Sequence, residues 1–162
     1  MESTTRKSEL LEQRIGYSFE DQSLLDRALT TVSKANEMRK DGEQLPYDEK
    51  QEALATLGDG VLRLLVVEWL ILEKHMNKKG PISKLTGDLV SRTHLGLLAE
   101  KLALEEFVVW GEGEFRREEW HRSTRMLAEC LEALVGAVFL DGGINSCREM
   151  LLHVGFLKMI DP

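Results

Sequence analysis

The sequence predicts an all-α fold, and three observations support that prediction. Apolar residues recur with helical spacing, as in ALATLGDGVLRLLVVEWLIL and MLAECLEALVGAVFL. The chain has only three prolines, so few positions interrupt a helix. No segment shows the alternation of apolar and polar residues that is typical of a β-strand bounded by hairpin turns, and only VVWGEGEF is expected to form a short extended piece. With 162 residues and 43% apolar content, the chain is expected to form one domain, residues 1–162.

The N-terminal part predicts two helices followed by a loop. Residues 10–15 indicate a short helix that ends at Gly16. Asp21 is expected to cap a second helix, whose apolar stripe extends to Leu29. The polar segment 33–47 has no sustained period and therefore predicts a long exposed loop.

The remaining elements are all helical. A long, mostly buried helix is predicted from about 48 to 75, where NKKGP ends it. Another helix is expected after Pro81, and Thr93 is expected to cap the next one. GEGEFRREEWHR predicts a polar insertion before MLAECLEALVGAVFL, a helix that Ser123 is expected to cap and that ends at DGG. A last helix is predicted over about 147–158.

Charge and cysteine content narrow the possible functions. The formal net charge is −7, so a nucleic-acid partner must meet a local basic patch rather than a global attraction. Cys130 and Cys147 lie in apolar surroundings without a CxxC pattern, which disfavours a thiolate zinc site and favours a reducing compartment. The N-terminal residues show no secretion signal, so the expected location is the cytoplasm.

The segment 53–72 is apolar enough to be compared with a membrane span. Asp59, Arg63 and Glu68 interrupt it. A charge near the centre of a membrane helix costs about 2.5–3.5 kcal/mol on insertion scales. The segment is therefore expected to be a buried helix, with no membrane partner.

Acidic residues within apolar helices are the candidates for a site. Glu52 and Asp59 share one helix face, roughly 10 Å apart at about 1.5 Å per residue. Glu129 and Glu132 are neighbours on a second helix, where their like charges repel. A cation would relieve that repulsion, and hard oxygen ligands favour Mg²⁺ or Mn²⁺ over zinc. Each carboxylate is alternatively a solvated surface group, and Asp59, which lies between two glycines, alternatively holds a helix kink or pairs with Arg63 one turn on.

Four ordered segments of this sequence resemble the ribonuclease III family. They are GYSFEDQSLLDRALT at 16–30, LGDGVL at 57–62, GPISKLTGDLVSRTHLGLLAEKLAL at 80–104 and MLAECLEALVGAVFLDGG at 126–143. With VVWGEGE at 108–114, the resemblance covers a core at about 8–157. It implies an all-helical, usually dimeric domain that hydrolyses double-stranded RNA with Mg²⁺. The separate double-stranded-RNA-binding domain of many members is not expected here.

The resemblance implies roles for four carboxylates. Asp59 and Glu132 match the family's recurrent pair of metal ligands. Glu129 stands where the family usually has Asp, and it is expected to be a third ligand. Glu52 matches an acidic position farther from the metals and is included among the catalytic residues. Gly58 is expected to let the helices around Asp59 approach closely. The implied cofactor is Mg²⁺, with Mn²⁺ as a substitute.

Four positions depart from the family's pattern. Ala55 replaces a Glu four residues before the LGD aspartate, although a compact and active branch of the family also has Ala there. Lys79 stands where Glu is frequent, Thr56 replaces an aromatic residue that supports the dimer contact, and Thr31 replaces a His. Ala55 supports an alternative, a catalytically weak or inactive scaffold that binds RNA or a ribonucleoprotein. A third possibility is an all-α dimerisation module.

The implied mechanism is metal-assisted hydrolysis without a side-chain nucleophile. RNA is expected to be recognised by shape, through phosphate and 2′-hydroxyl contacts. The candidate cationic groups are Lys78, Lys79, Lys84, Arg116, Arg117, Arg122 and Arg125. A homodimer is expected through the apolar helix around 61–72 and Trp69, where core and interface residues cannot be told apart by sequence.

Overall fold

A computed structural model of the chain describes residues 2–42, 51–115 and 124–160, which form eight α-helices and two short 3-10 helices. The α-helices are α1 (Glu2–Ile15), α2 (Gln22–Leu29), α3 (Val32–Lys40), α4 (Gln51–Leu72), α5 (Lys79–Leu89), α6 (Arg92–Lys101), α7 (Glu112–Phe115) and α8 (Thr124–His153). The 3-10 helices are Leu104–Glu106 and Leu157–Ile160. These residues form no strand beyond one isolated bridge between Thr30 and Val109. The predicted all-α fold is confirmed.

Helices α4 and α8 form the centre of the molecule. Their apolar faces supply fully buried side chains such as Leu62 and Leu65 from α4 and Leu131 and Leu134 from α8. Helices α2 and α6 pack against α8. Among the described helices, none is long and apolar enough to cross a membrane. One continuous apolar cluster joins α1 to the C-terminal 3-10 helix, and a single domain over 1–162 remains the prediction.

Two glycines bring the backbones of α4 and α8 into contact. A Cβ atom added to Gly58 would overlap the carbonyl oxygen of Glu132, and one added to Gly136 would overlap the carbonyl oxygen of Leu54. Only a residue without a side chain fits such an approach. The predicted role of Gly58 is confirmed, and the crossing places Asp59 next to the backbone of Glu132.

The predicted loop over 33–47 is wrong in its first part, where α3 forms. Thr31 caps this helix by accepting a hydrogen bond from the N–H of Lys34 at 3.2 Å. Ala35 is the buried residue of α3, so no apolar period reveals the helix. Helix α3 is joined to the start of α7 by Glu37, which accepts a hydrogen bond from the N–H of Glu112 at 2.8 Å. Residues 43–47 lie outside the described residues.

Two further predictions on helix starts need correction. Helix α5 begins before Pro81, which occupies the first turn, where an N–H donor has no helical partner. Ser91 rather than Thr93 caps α6, accepting from the N–H of His94 at 3.3 Å. The predicted cap of α2 by Asp21 is confirmed, since its side chain accepts from the N–H of Ser23 at 2.9 Å.

Several helix ends also differ from the prediction. Helix α1 begins at Glu2, earlier than expected, and α4 ends at Leu72 rather than near 75. The predicted break at DGG is confirmed, since Gly143 adopts a non-helical φ of 78° and ψ of −175° and divides α8 into two helical segments, the second of which ends at His153 rather than near 158. The predicted starting residue 48 of α4 and the predicted cap Ser123 lie outside the described residues.

Candidate active site

A cleft of about 640 Å³ opens beside the crossing of α4 and α8. Its lining residues are Glu52, Ala55, Thr56, Asp59, Arg63, Gly87, Val90, Ser91, Arg92, Arg125, Glu129 and Glu132. Helical spacing explains why each acidic pair faces the same way, since residues three or seven apart lie on one side of a helix. The crossing then brings the two pairs together. All four acidic residues singled out from the sequence therefore line one cleft.

Asp59 is paired with an arginine in this arrangement. Nε of Arg63 donates to both carboxylate oxygens of Asp59, at 3.0 Å each. This is the pair that the sequence predicted as the alternative to a metal-binding role. Over residues 2–42, 51–115 and 124–160, no three His, Cys, Asp or Glu side chains converge closely enough to hold one ion together. Ligation by Asp59, Glu129 and Glu132 remains a prediction.

Glu132 carries the clearest electrostatic perturbation in the cleft. Burial disfavours its charged form, and the neighbouring charges of Asp59 and Glu129 add to that effect, raising its pKa to about 7. Arg92 and Arg63 oppose the shift. A half-buried carboxyl group between two other carboxylates gains stability when a cation approaches.

The donor set fits a hard divalent cation. Asp59, Glu129 and Glu132 offer oxygen atoms alone, from two helices held in fixed register by their glycine contact. Oxygen donors are those that Mg²⁺ and Mn²⁺ prefer. Ala55 lines the same cleft without contributing an oxygen, and Glu52 lies exposed on the more distant turn of α4. Asp59, Glu129 and Glu132 are therefore the residues that would hold a cation in this cleft, although in the described arrangement they do not converge on one point.

Arginine side chains balance much of the acidic charge. Arg63, Arg92 and Arg125 line the cleft with the four carboxylates. The sequence reasoning missed Arg92, because it placed the helix cap at Thr93. With Ser91 as the cap, Arg92 becomes the first residue of α6 and faces the cleft. A Ser followed by a Thr two residues on was an ambiguous capping signal.

The other predicted cationic groups lie outside the cleft or outside the description. Lys78, Lys79 and Lys84 are exposed at the start of α5. Arg116, Arg117 and Arg122 fall outside the described residues.

Both cysteines belong to the core rather than to the cleft. Cys130 and Cys147 are free thiols, and each is fully buried. Burial raises the pKa of both thiols to about 12, so they stay protonated at neutral pH. Gln51 donates to the Cys130 sulfur at 3.3 Å and to the carbonyl of Ala28 at 2.6 Å. These bonds fix the start of α4, and with it the turn that carries Glu52.

Known proteins resemble this chain in sequence over most of its length. A family model described as Ribonuclease-III-like matches residues 21–158. The protein named Ribonuclease 3 from Caldanaerobacter subterraneus subsp. tengcongensis is 36% identical over 151 residues, which cover 93% of this chain and 63% of that protein. Ribonuclease 3 from Bdellovibrio bacteriovorus is 37% identical over 146 residues, covering 90% of this chain and 58% of that protein. The chain thus spans about three fifths of the length of these relatives.

Solved structures show the same fold. The nuclease domain of ribonuclease III from Campylobacter jejuni superposes with a TM-score of 0.78 at 29% identity, covering 95% of this chain and 96% of that one. A second structure of that domain, described as showing structural flexibility in a region involved in dimer formation, gives a TM-score of 0.77 at 30% identity, covering 90% of this chain and 94% of that one. Together, the sequence match and the shared helical architecture show that this chain belongs to the ribonuclease III-like family.

Proposed function

We propose that this protein is a Mg²⁺-dependent endoribonuclease that hydrolyses phosphodiester bonds in double-stranded RNA. The observation that carries the proposal is the position of Asp59 and Glu132, which face one cleft on either side of a glycine-mediated helix crossing. Bound divalent cations would supply an activated water and stabilise the leaving oxygen. Mn²⁺ is the expected substitute for Mg²⁺, because it accepts the same oxygen donors.

The residues of the chain divide the work in this proposal. Asp59, Glu132 and Glu129 hold the metal centre. Arg92 and Arg125 offer guanidinium groups, which bind phosphate oxygens in a bidentate manner. Glu52, the fourth acidic group of the cleft, is exposed on the distant turn and shapes the approach of the RNA backbone. Recognition rests on the shape of the duplex and on phosphate and 2′-hydroxyl contacts, as is usual for double-stranded RNA.

A homodimer completes the proposed assembly. Helix α4 exposes apolar side chains on the side away from the core, with Leu64 57% and Ile71 45% exposed and Val67 half-buried between them. Residues at this spacing form one stripe along the helix. An apolar stripe next to the cleft favours pairing with a second copy of the chain, with one acidic cluster per subunit. Buried free thiols suit a reducing compartment, and the cytoplasm is the proposed location.

Cleavage of a long, fully paired RNA at low salt tests the proposal. The chain with Mg²⁺ is expected to produce short duplexes, whereas the same chain with EDTA leaves the RNA intact. Single-stranded RNA and double-stranded DNA of the same sequence serve as controls and should survive. Cleavage of the single strand at the duplex rate would contradict the proposed specificity.

One observation favours a second candidate, the RNA-binding scaffold. Ala55 leaves the cleft with one oxygen donor fewer than the family's usual pattern, and that residue is buried. Duplex binding without cleavage, even when Mn²⁺ replaces Mg²⁺, would support the scaffold. If the chain neither binds nor cleaves the duplex, the remaining possibility is the dimerisation module.

A further inference from the structure

Arg63 makes a direct contact to the Asp59 carboxylate in the cleft. It lies one helical turn after Asp59, and its Nε donates to both carboxylate oxygens at 3.0 Å. The helix itself sets this geometry, since residues four apart are neighbours on its surface. Both side chains keep contact with solvent, Arg63 at 52% and Asp59 at 38% exposure. The pair is therefore open enough to exchange partners.

The Arg63 charge acts on more than one carboxyl group. Together with Arg92, it counters the rise in pKa that burial, Asp59 and Glu129 impose on Glu132. An arginine in this place supplies part of the positive charge that a divalent cation supplies to the same oxygens. The two cations repel each other. For a separation of about 5 Å in water, Coulomb's law gives an effect of about tenfold on an equilibrium constant.

We propose that Arg63 is a built-in counter-ion that competes with the divalent cation for Asp59 and so sets the metal concentration at which the site fills. This inference rests on the proposed function, because it takes Asp59 to be a metal ligand. When the cation binds, the Arg63 side chain turns toward solvent. At low metal concentration Arg63 pairs with Asp59 again, so the charge of this carboxylate stays balanced.

Titration of Mn²⁺ into the RNA-free protein tests this competition. Arg63→Gln removes the charge and keeps much of the side chain, and we expect its Kd for Mn²⁺ to fall three- to tenfold. Arg63→Lys keeps the charge, and its Kd should stay within about twofold of the parent value. Electron paramagnetic resonance of free Mn²⁺ gives the Kd, and the rise in Tm with added Mn²⁺ gives a second readout.

Arg148→Gln is the matched control. Arg148 forms a two-pronged ion pair with Glu68, another residue of α4, at 2.9–3.0 Å, and neither residue lines the cleft. Loss of that pair should leave the Kd for Mn²⁺ unchanged. A general effect of removing a surface arginine would change the Kd in both variants and would overturn the inference.

The remaining outcomes separate this inference from the proposed function. An unchanged or higher Kd in Arg63→Gln overturns the competition, while duplex cleavage by the parent chain would still support the nuclease. A parent chain that binds Mn²⁺ in competition with Arg63 but cuts no RNA overturns the nuclease alone. Absence of Mn²⁺ binding in every variant overturns both the competition and the metal site.

Discussion

Substituting Gly58 by Ala perturbs the contact that holds the two halves of the site together. The added Cβ would overlap the carbonyl group of Glu132, which belongs to the backbone and cannot rotate away. Overpacking of this kind costs about 1–3 kcal/mol, and a backbone obstacle places Gly58→Ala at the upper end. The better helix propensity of Ala returns about 1 kcal/mol. The net loss in free energy of unfolding is therefore about 2 kcal/mol, or about 4–8 °C in Tm for a domain of this size.

Gly60→Ala provides the comparison on the same helix. A Cβ at Gly60 would meet no atom within 4 Å, so only the gain in helix propensity, about 1 kcal/mol, applies. Urea unfolding monitored by circular dichroism measures both changes. Gly58→Ala should also slow RNA cleavage about 100-fold, because a shift of about 1 Å separates Asp59 from Glu132. Equal stability of the two variants would refute the tight crossing.

Three further predictions concern stability and assembly. Thr31→Val removes the hydroxyl that donates to buried Glu114 at 2.8 Å and that also caps α3. Urea unfolding should show a loss of about 2–3 kcal/mol, because the lost hydrogen bond and the lost cap add together, and an unchanged midpoint would contradict this. Burial alone would raise the pKa of Asp141, but hydrogen bonds from a tyrosine hydroxyl and two backbone N–H groups lower it overall. Ionised Asp141 therefore adds to the free energy of unfolding above its unfolded pKa of about 3.9, and this contribution is lost as pH falls through its lower folded pKa. The difference in free energy of unfolding between the parent and Asp141→Asn should narrow below about pH 4. A difference that stays constant with pH would contradict this. Leu64→Asp should give a monomer by light scattering while Leu152→Asp, on an exposed site of α8, stays dimeric; a dimer in both would exclude the α4 stripe.

Much of the fold could be predicted because burial leaves a periodic trace in the sequence. Helix α4 and residues 127–138 of α8 bury at least one residue in every turn, so their apolar spacing was evident. Helix α3 left no such trace, since Ala35 is its buried residue and its anchors are the Thr31 cap and Glu37, which contacts a segment about 75 residues away. Contacts between distant segments do not appear in local periodicity.

The candidate site was predictable in its parts and less so in its assembly. Helical spacing placed each acidic pair on one face, but the meeting of the two faces depends on the crossing at Gly58 and Gly136. The resemblance to a known family, rather than the spacing, linked Asp59 to Glu132. Arg92 was missed because its orientation depends on a helix that begins two residues earlier than expected.

The most direct test of the central claim is single-turnover cleavage of paired RNA by Asp59→Asn and Glu132→Gln in saturating Mg²⁺. Each variant removes one carboxylate charge while keeping the side-chain shape, so circular dichroism should show an intact fold. Both rates should fall at least about 100-fold below the parent rate, the usual scale for an electrostatic group at a reaction centre. Arg148→Gln, whose ion pair lies outside the cleft, should cleave at the parent rate. Cleavage by either acidic-site variant at the parent rate would contradict a metal centre at the crossing of α4 and α8.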